Sequence, residues 1–160
     1  MLQSQDKVIR CNKSSPTPYV KEWIPKLELP KSSRIIDLGC GNGRNSEYLK
    51  ELGYSNIHAY DLRGDYGIEL DLIINGIPLR SHWADLILCN YLMCFLNQAD
   101  RVYLSREISR VAQTNCFLLV EFYKGKQTLP YDMDKVTDLF KGWSMFHSSK
   151  DRFITIRKPQ

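Results

Sequence analysis

The chain reads as an α/β fold, a mainly parallel sheet flanked by helices and ending in an antiparallel hairpin. Three observations predict it. Short β-branched or apolar runs alternate with stretches of helical spacing from residue 34 to residue 140. The run Ala84 to Cys89 is nearly all apolar, as expected of a parallel strand covered on both faces. The last segment holds two strand-like runs, Trp143 to Ser148 and Arg152 to Arg157, around a turn at Ser149 to Asp151. With 160 residues, 43% of them apolar, the chain is large enough for one domain with one core.

Residues 1–18 contain Ser14-Ser15-Pro16-Thr17-Pro18 and little apolar content, so they are expected to form an N-terminal arm, ordered only where it docks. The domain proper is then residues 19–160. Tyr19, Val20, Trp23, Ile24 and Leu27 have helical spacing, stopped by Leu29-Pro30, and this helix is expected to cover one edge of the sheet. Arg34 to Leu38 is a strand that ends at glycines, and Asn45 to Leu52 a helix closed by Gly53. A second strand, Asn56 to Tyr60, ends at Asp61, and a polar loop leads on to Gly67-Ile68-Glu69-Leu70-Asp71. About ten positions separate Asp61 from Asp71, fewer than a helical crossover between parallel strands requires. The helix after the second strand is therefore expected to be shortened or missing, and the third strand absent or irregular. Beyond Ala84 to Cys89, a helix over Asp100 to Ala112 sets Val102, Leu104, Ile108 and Val111 near one face, with Arg101, Arg106, Glu107 and Arg110 largely opposite. A strand over Cys116 to Phe122 and a helix over Asp132 to Phe140 precede the hairpin.

Composition narrows the function classes. No run approaches the ~18 apolar residues of a membrane span, and Met1 to Lys13 lacks an apolar signal segment, so a soluble, cytoplasmic protein is expected. The five cysteines, Cys11, Cys40, Cys89, Cys94 and Cys116, include no C-x-x-C pair, and the three histidines are scattered. Buried free thiols in a reducing compartment, and no metal, are the expectation. A net charge of +4 would help an anionic substrate approach but is no nucleic-acid signature.

The chemistry concentrates in Asp37-Leu38-Gly39-Cys40-Gly41-Asn42-Gly43-Arg44-Asn45. A strand, closely spaced glycines and a helix start let a ligand touch bare backbone at the C-terminal edge of a sheet. Dinucleotide sites use G-x-G-x-x-G, whereas here the third glycine, Gly43, comes one residue early and Arg44 takes its place. That spacing favours S-adenosylmethionine (SAM) over NAD. Asp37 could meet an ammonium group, which SAM has and NAD lacks. Asp61, at the end of the second strand, stands where a carboxylate accepts bonds from both ribose hydroxyls, and Asp71-Leu72 offers a carboxylate and an apolar wall to an adenine.

The run Asp37 to Ser46 resembles that of the class I (Rossmann-like) SAM-dependent methyltransferases, and within them the tellurite-resistance-type and related small-molecule methyltransferases. The resemblance extends from about Tyr19 to Phe122 and includes Asp61, Asp71-Leu72 and Tyr91 to Leu96. It implies SAM as cofactor, with Asp37, Gly39, Cys40 and Gly41 at its methionine end and Asp61, with Leu62 beside it, at the ribose. Asp71 and Leu72 would then hold the adenine, and Asn90 or Tyr91 would line the pocket near the sulfonium. Without the usual helix, one side of the adenine pocket would be more open and binding weaker. If the acceptor must lose a proton, Tyr91, Tyr123 and Glu121 are placed to help, Glu121 best of all, unless it is a helix-facing or salt-bridging carboxylate.

The acceptor pocket is expected from Tyr19 and its neighbours, Asn90 to Leu96, and Phe122 to Tyr131. Enzymes that methylate exocyclic amino groups of DNA share an Asn/Asp-Pro-Pro-aromatic signature after the fourth strand, and here that place reads Asn90-Tyr91-Leu92-Met93. A small-molecule acceptor is the leading expectation. RNA or protein acceptors remain as alternatives, with Lys124, Lys126, Lys141 and the tail Arg152 to Lys158 available for phosphate contacts. A SAM-binding regulatory partner with little turnover is the other. A homodimer could cover the apolar area that the missing helix leaves.

Overall fold

The computed structural model describes residues 13–159, so most of the expected arm, and Cys11 with it, lies outside the described residues. Seven strands form one sheet in the order β3-β2-β1-β4-β5-β7-β6. They are β1 Ile35–Leu38, β2 Ile57–Asp61, β3 Ile68–Glu69, β4 Ala84–Asn90, β5 Ala112–Glu121, β6 Trp143–Ser149 and β7 Arg152–Arg157. The first five run parallel, and β7 enters antiparallel between β5 and β6. Because chain order reverses between β1 and β4, the connections leaving these two strands diverge, and a crevice opens at their C-terminal ends.

Two apolar layers hold the sheet. On one face Tyr19, Val20, Ile24 and Leu27 pack with Ile35, Leu86, Leu88, Leu119 and Ile154. The first helix therefore covers the edge expected from sequence, where Tyr19 and Trp23 meet His147 and Phe146 of β6, and extends from it over the inner strands of the same face. It is also split: α1 spans Pro18–Trp23, started by Thr17 Oγ1 accepting from Val20 N, and Ile24–Leu27 continues as a 3-10 turn. Pro25 accounts for the break, since it has no N–H to extend the α-helical ladder. On the opposite face Leu104, Ile108 and Val111 of helix α4, Gln98–Val111 in chain order after α2 Arg44–Glu51 and α3 Leu72–Asn75, pack with Ile36, Ile87, Cys89, Leu118 and Val120. The last helix, α5 Met133–Asp138, adds Val136 to this layer. Strand β5 starts at Ala112, four residues before the Cys116 expected from sequence, because Ala112 already pairs with Ala84.

The β2–β3 connection has no helix, in line with the spacing argument. Residues 62–67 suffice because β3 pairs only with the last two residues of β2, Tyr60 with Ile68 and Asp61 with Glu69. The chain never has to travel back along the strand. Gly67 makes this tight return possible: a Cβ there would collide with the carbonyl of Ala59 and come within 2.9 Å of Cys40 Sγ. Without a covering helix, only Tyr60 of β2 is buried, and Ile68 and Ile74 stand exposed nearby. Gly67→Ala should therefore destabilise the protein by about 1–3 kcal/mol through overpacking against backbone; chemical denaturation checks this, and an unchanged midpoint would mean that the β2–β3 return relaxes freely.

Candidate active site

The loop after β1 is built on three left-handed glycines, Gly39, Gly41 and Gly43, at φ 66°, 55° and 81°. For an L-residue such backbone costs about 1–2 kcal/mol. Cys40 N donates to Tyr60 O and Gly43 N to Cys40 O, which coils the loop against the end of β2. The three glycines then have different tasks. A Cβ on Gly39 would press on Leu92 at 3.1 Å, and one on Gly43 would enter the ring of Tyr66, whose hydroxyl donates to Glu47 on α2. Around Gly41 nothing lies within 4 Å of a Cβ position. Gly41 is thus where the loop offers open, bare backbone.

Two carboxylates, Asp61 and Asp37, hold this loop and the helix after it, and a third, Asp71, follows β3. Asp61 Oδ2 accepts from Gly41 N at 2.9 Å and its Oδ1 from Arg63 N at 3.0 Å, so it fastens the loop as well as facing it. Asp37 is only 2% exposed and accepts from Ser46 Oγ at 2.6 Å, joining β1 to α2. Burial raises its pKa to about 6, partly countered by the Ser46 bond and reinforced by the nearby charge of Asp61. Asp71 caps α3, its Oδ1 accepting from Ile73 N and Ile74 N. Leu72 is 6% exposed within the core and Leu62 46% exposed, so of these two only Leu62 presents much surface. Cys40 is buried under the loop, and burial pushes its thiol up to about 12, which keeps it protonated. Cys89, Cys94 and Cys116 are likewise buried free thiols.

On the other side of the crevice, Asn90, Glu121 and Arg152 are register partners across β4, β5 and β7. Glu121 is fully buried; its Oε2 accepts from Asn90 Nδ2 at 2.5 Å, its Oε1 from Tyr91 Oη at 3.3 Å, and Arg152 Nη1 lies 3.7 Å away. Of the two roles open from sequence, the salt-bridging one is therefore what the geometry displays. Asn90 Oδ1 is buried with no partner. Tyr91 has φ 54°, an uncommon conformation for a bulky residue, held by its N–H donating to Glu121 O. Burial, and then the charge of Glu121, raise its phenol pKa, so it is protonated at neutral pH. Its ring meets Tyr123 edge-on at 5.4 Å, Tyr123 meets Phe95 at 5.8 Å, and the Arg44 guanidinium lies 5.9 Å from the Tyr91 ring.

Tyr19 comes close to this row but is 3% exposed, with Oη 2.8 Å from His147 Nδ1 and Arg152 5.5 Å from its ring. It supports the pocket from beneath. Arg152 and Arg157 are not a free phosphate-binding tail: the first is taken up by Glu121 and Tyr19, and the second bonds to the carbonyls of Ser109 and Ala112. Sequence reading missed Tyr66 as part of the site and gave Arg152 only a place in a phosphate-contacting tail. A tyrosine five residues beyond the end of one strand, or an arginine on the far side of a hairpin, acquires its place only when the strands are aligned.

The strand order, the C-terminal hairpin and the glycine loop after β1 are those of the class I SAM-dependent methyltransferase fold. Within it, residues 3–76 match the family described as tellurite resistance protein TehB. TehB from Haemophilus influenzae superposes with a TM-score of 0.74 at 16% identity, over 92% of this chain and 64% of that one. The Burkholderia thailandensis 1,6-didemethyltoxoflavin-N1-methyltransferase, whose structure holds 1,6-didemethyltoxoflavin and S-adenosylhomocysteine, gives 0.73 at 13% identity over 89% and 78%. A SAM-dependent methyltransferase from Aquifex aeolicus gives 0.66 at 15% identity over 86% and 87%. At these identities the structural likeness is one of fold. No curated protein sequence matches the chain. No helix among the described residues is long and apolar enough to cross a membrane.

The pKa of Asp37 has a consequence for stability. Its folded value, about 6, lies above the ordinary carboxylate value of 3.8, so the folded state holds this proton more tightly than the unfolded chain. That contribution is present below about pH 4 and is lost as pH rises through 6. Asp37→Asn, which keeps an acceptor for Ser46, should gain on the wild type between pH 4 and 7, by up to about 3 kcal/mol at 1.36 kcal/mol per pKa unit. Thermal melts of both proteins across that range check it; parallel curves would show that Asp37 ionises normally.

Proposed function

We propose that the protein is a SAM-dependent methyltransferase acting on a small-molecule acceptor. The observation that carries this reading is the open backbone at Gly41, fastened by Asp61 at the C-terminal edge of β1 and β2. The residues fit the cofactor: Gly41 leaves room for it, Asp61 and Asp71 offer carboxylate oxygens along the edge, and Asp37 gives negative charge behind the loop. When bound, SAM supplies a methyl group on an already activated sulfonium. The chain's own work is then alignment and exclusion of water. Tyr91, Tyr123 and Phe95 give the acceptor an apolar aromatic wall, and Leu92 closes the crevice over Gly39. Where an acceptor loses a proton, Tyr91 Oη and Glu121 Oε1 form the path available to it. The inward course of Arg152 and Arg157 favours a small acceptor over a phosphate backbone. Exposed Ile68 and Ile74 are the side chains that a second subunit would cover.

Calorimetric titration with SAM and S-adenosylhomocysteine, with NAD as control, tests the cofactor. Asp61→Asn should weaken SAM binding by roughly ten- to a hundredfold, the worth of charged hydrogen bonds of about 1.5–3 kcal/mol. Absence of SAM binding by the intact protein, or NAD binding in its place, overturns the reading. Production of S-adenosylhomocysteine with small acceptors, and none with RNA or protein, separates the acceptor classes.

A further inference from the structure

The chain meets the glycine loop before it reaches its first helix. Asn42, between Gly41 and Gly43, uses both ends of its amide: Oδ1 accepts from Arg44 N at 3.3 Å, at the start of α2, and Nδ2 donates to the carbonyl of Lys13 at 2.7 Å. Asn45, in the first turn of α2, is only 6% exposed, and its Oδ1 accepts from Thr17 N at 3.0 Å. Thr17 is itself fully buried, and its Oγ1 starts α1. Residues 13–17 are therefore held at both ends by asparagines of one unit, the loop after β1 and the helix that follows it.

The segment between the two anchors is stiff. Pro16 and Pro18 fix their own φ and favour extended backbone at Ser15 and Thr17, and Thr17 has φ −60° and ψ 143°. Lys13, Ser14 and Ser15 are exposed, so this stretch lies on the surface of the molecule. The two anchors differ in kind. Asn45 is fixed by its helix, whereas Asn42 stands between two left-handed glycines and reaches Lys13 only while the loop keeps its coil. Gly43 N donating to Cys40 O, and Gly41 N donating to Asp61, hold that coil. Gly41, the open backbone of the loop, is the residue next to Asn42.

We infer that Asn42 is a positioning residue that couples the glycine loop to a strap formed by residues 13–17, so that whatever orders the loop holds the strap down and whatever loosens the loop frees it. The inference rests on the methyltransferase reading for the identity of the ligand, but not for the coupling itself. A ligand against Gly41 stabilises the coil whose bare backbone it touches, and the coil aims Asn42 Nδ2 at Lys13 O. By linkage, the seated strap then raises affinity for that ligand by the same factor. The Thr17 to Asn45 bond is the hinge: it is buried, and it starts from a helix rather than from the glycines. Exchange of a ligand at Gly41 accordingly opens the loop and the strap together.

The test is limited trypsin digestion of the full chain, followed by mass spectrometry. Cleavage after Lys13 reports on the strap, and cleavage after Lys150, in the turn between β6 and β7, is the internal control for global loosening. Cleavage at a site that must first open follows the population of the open form. Without ligand, Asn42→Ala should speed cleavage after Lys13 by about two- to tenfold, the effect of one hydrogen bond. Asp61→Asn should act in the same direction, although Asp61 bonds to Gly41 and Arg63 and not to the strap. Lys150 should be cut at the wild-type rate in both. Saturating S-adenosylhomocysteine should slow cleavage after Lys13 at least about fivefold in the wild type and less than about twofold in Asn42→Ala, whose affinity for it falls by the corresponding factor. Unchanged cleavage after Lys13 in either ligand-free variant overturns the coupling, as do equal acceleration at Lys150 and protection that survives Asn42→Ala. Failure of S-adenosylhomocysteine to bind the intact protein would sink the methyltransferase reading alone, because the ligand-free comparison still decides the coupling.

Discussion

The bond from Gly41 N to Asp61 Oδ2 is the constraint on which the site depends. It joins the loop after β1 to the end of β2, so the two strand ends that would hold a ligand cannot move apart. Glycine at position 41 is needed for the left-handed backbone that aims this N–H at the carboxylate. Asp61 in turn fixes the exit of β2 through Arg63 N, and that exit sets where residues 62–67 can run. A weakening of this one contact therefore loosens the glycine loop, the β2–β3 return and the seat of Tyr66 together.

Losing the helix after β2 changes how the loop is supported. In a longer crossover a helix would pack over the sheet beside β1, whereas here the short return brings Tyr66 directly onto Gly43 and bonds it to Glu47 of α2. Gly67 settles against Ala59 and Cys40 from the other side. Local packing of two aromatic or glycine positions replaces an apolar helix face, and the cost is visible in the half-exposed β2 and the two-residue β3.

Much of the architecture was legible because it depends on local pattern. The apolar run Ala84 to Cys89, the glycines after Leu38 and the short distance from Asp61 to Asp71 each specify their element without help from the rest of the chain. What sequence did not reveal depends on registry between distant strands. Asn90, Glu121 and Arg152 become one row only after β4, β5 and β7 align, and the same alignment turns Glu121 from a free carboxylate into a buried, partnered one. Arg101 was misread for a related reason. Helical spacing sorts residues into two faces, but the first turn of α4 is covered by the connections after β4 and β5, which reach round to its polar side. The first helix does reach the edge strand, but it also covers strands inside the sheet, since periodicity shows that a helix has an apolar face but not how much of a sheet receives it.

The charges nearest the glycine loop are two carboxylates and one guanidinium, and their balance gives that side of the crevice a preference. Asp37 and Asp61 lie on the side of the glycine loop, where the charge of Asp61 raises the cost of ionising Asp37 and that of Arg44 lowers it, and no lysine or arginine forms an ion pair with either among the described residues. On the side of the β4 and β5 connections the signs are mixed, with Glu121 3.7 Å from Arg152 and Asp151 near enough to Tyr131 to raise its pKa. Two neighbouring carboxylates are unfavourable in the empty chain, since like charges repel. The pair becomes favourable when a cation sits beside it. A sulfonium with its ammonium group is a ligand of that sign, so under the methyltransferase reading the bound cofactor relieves the repulsion that the empty loop carries.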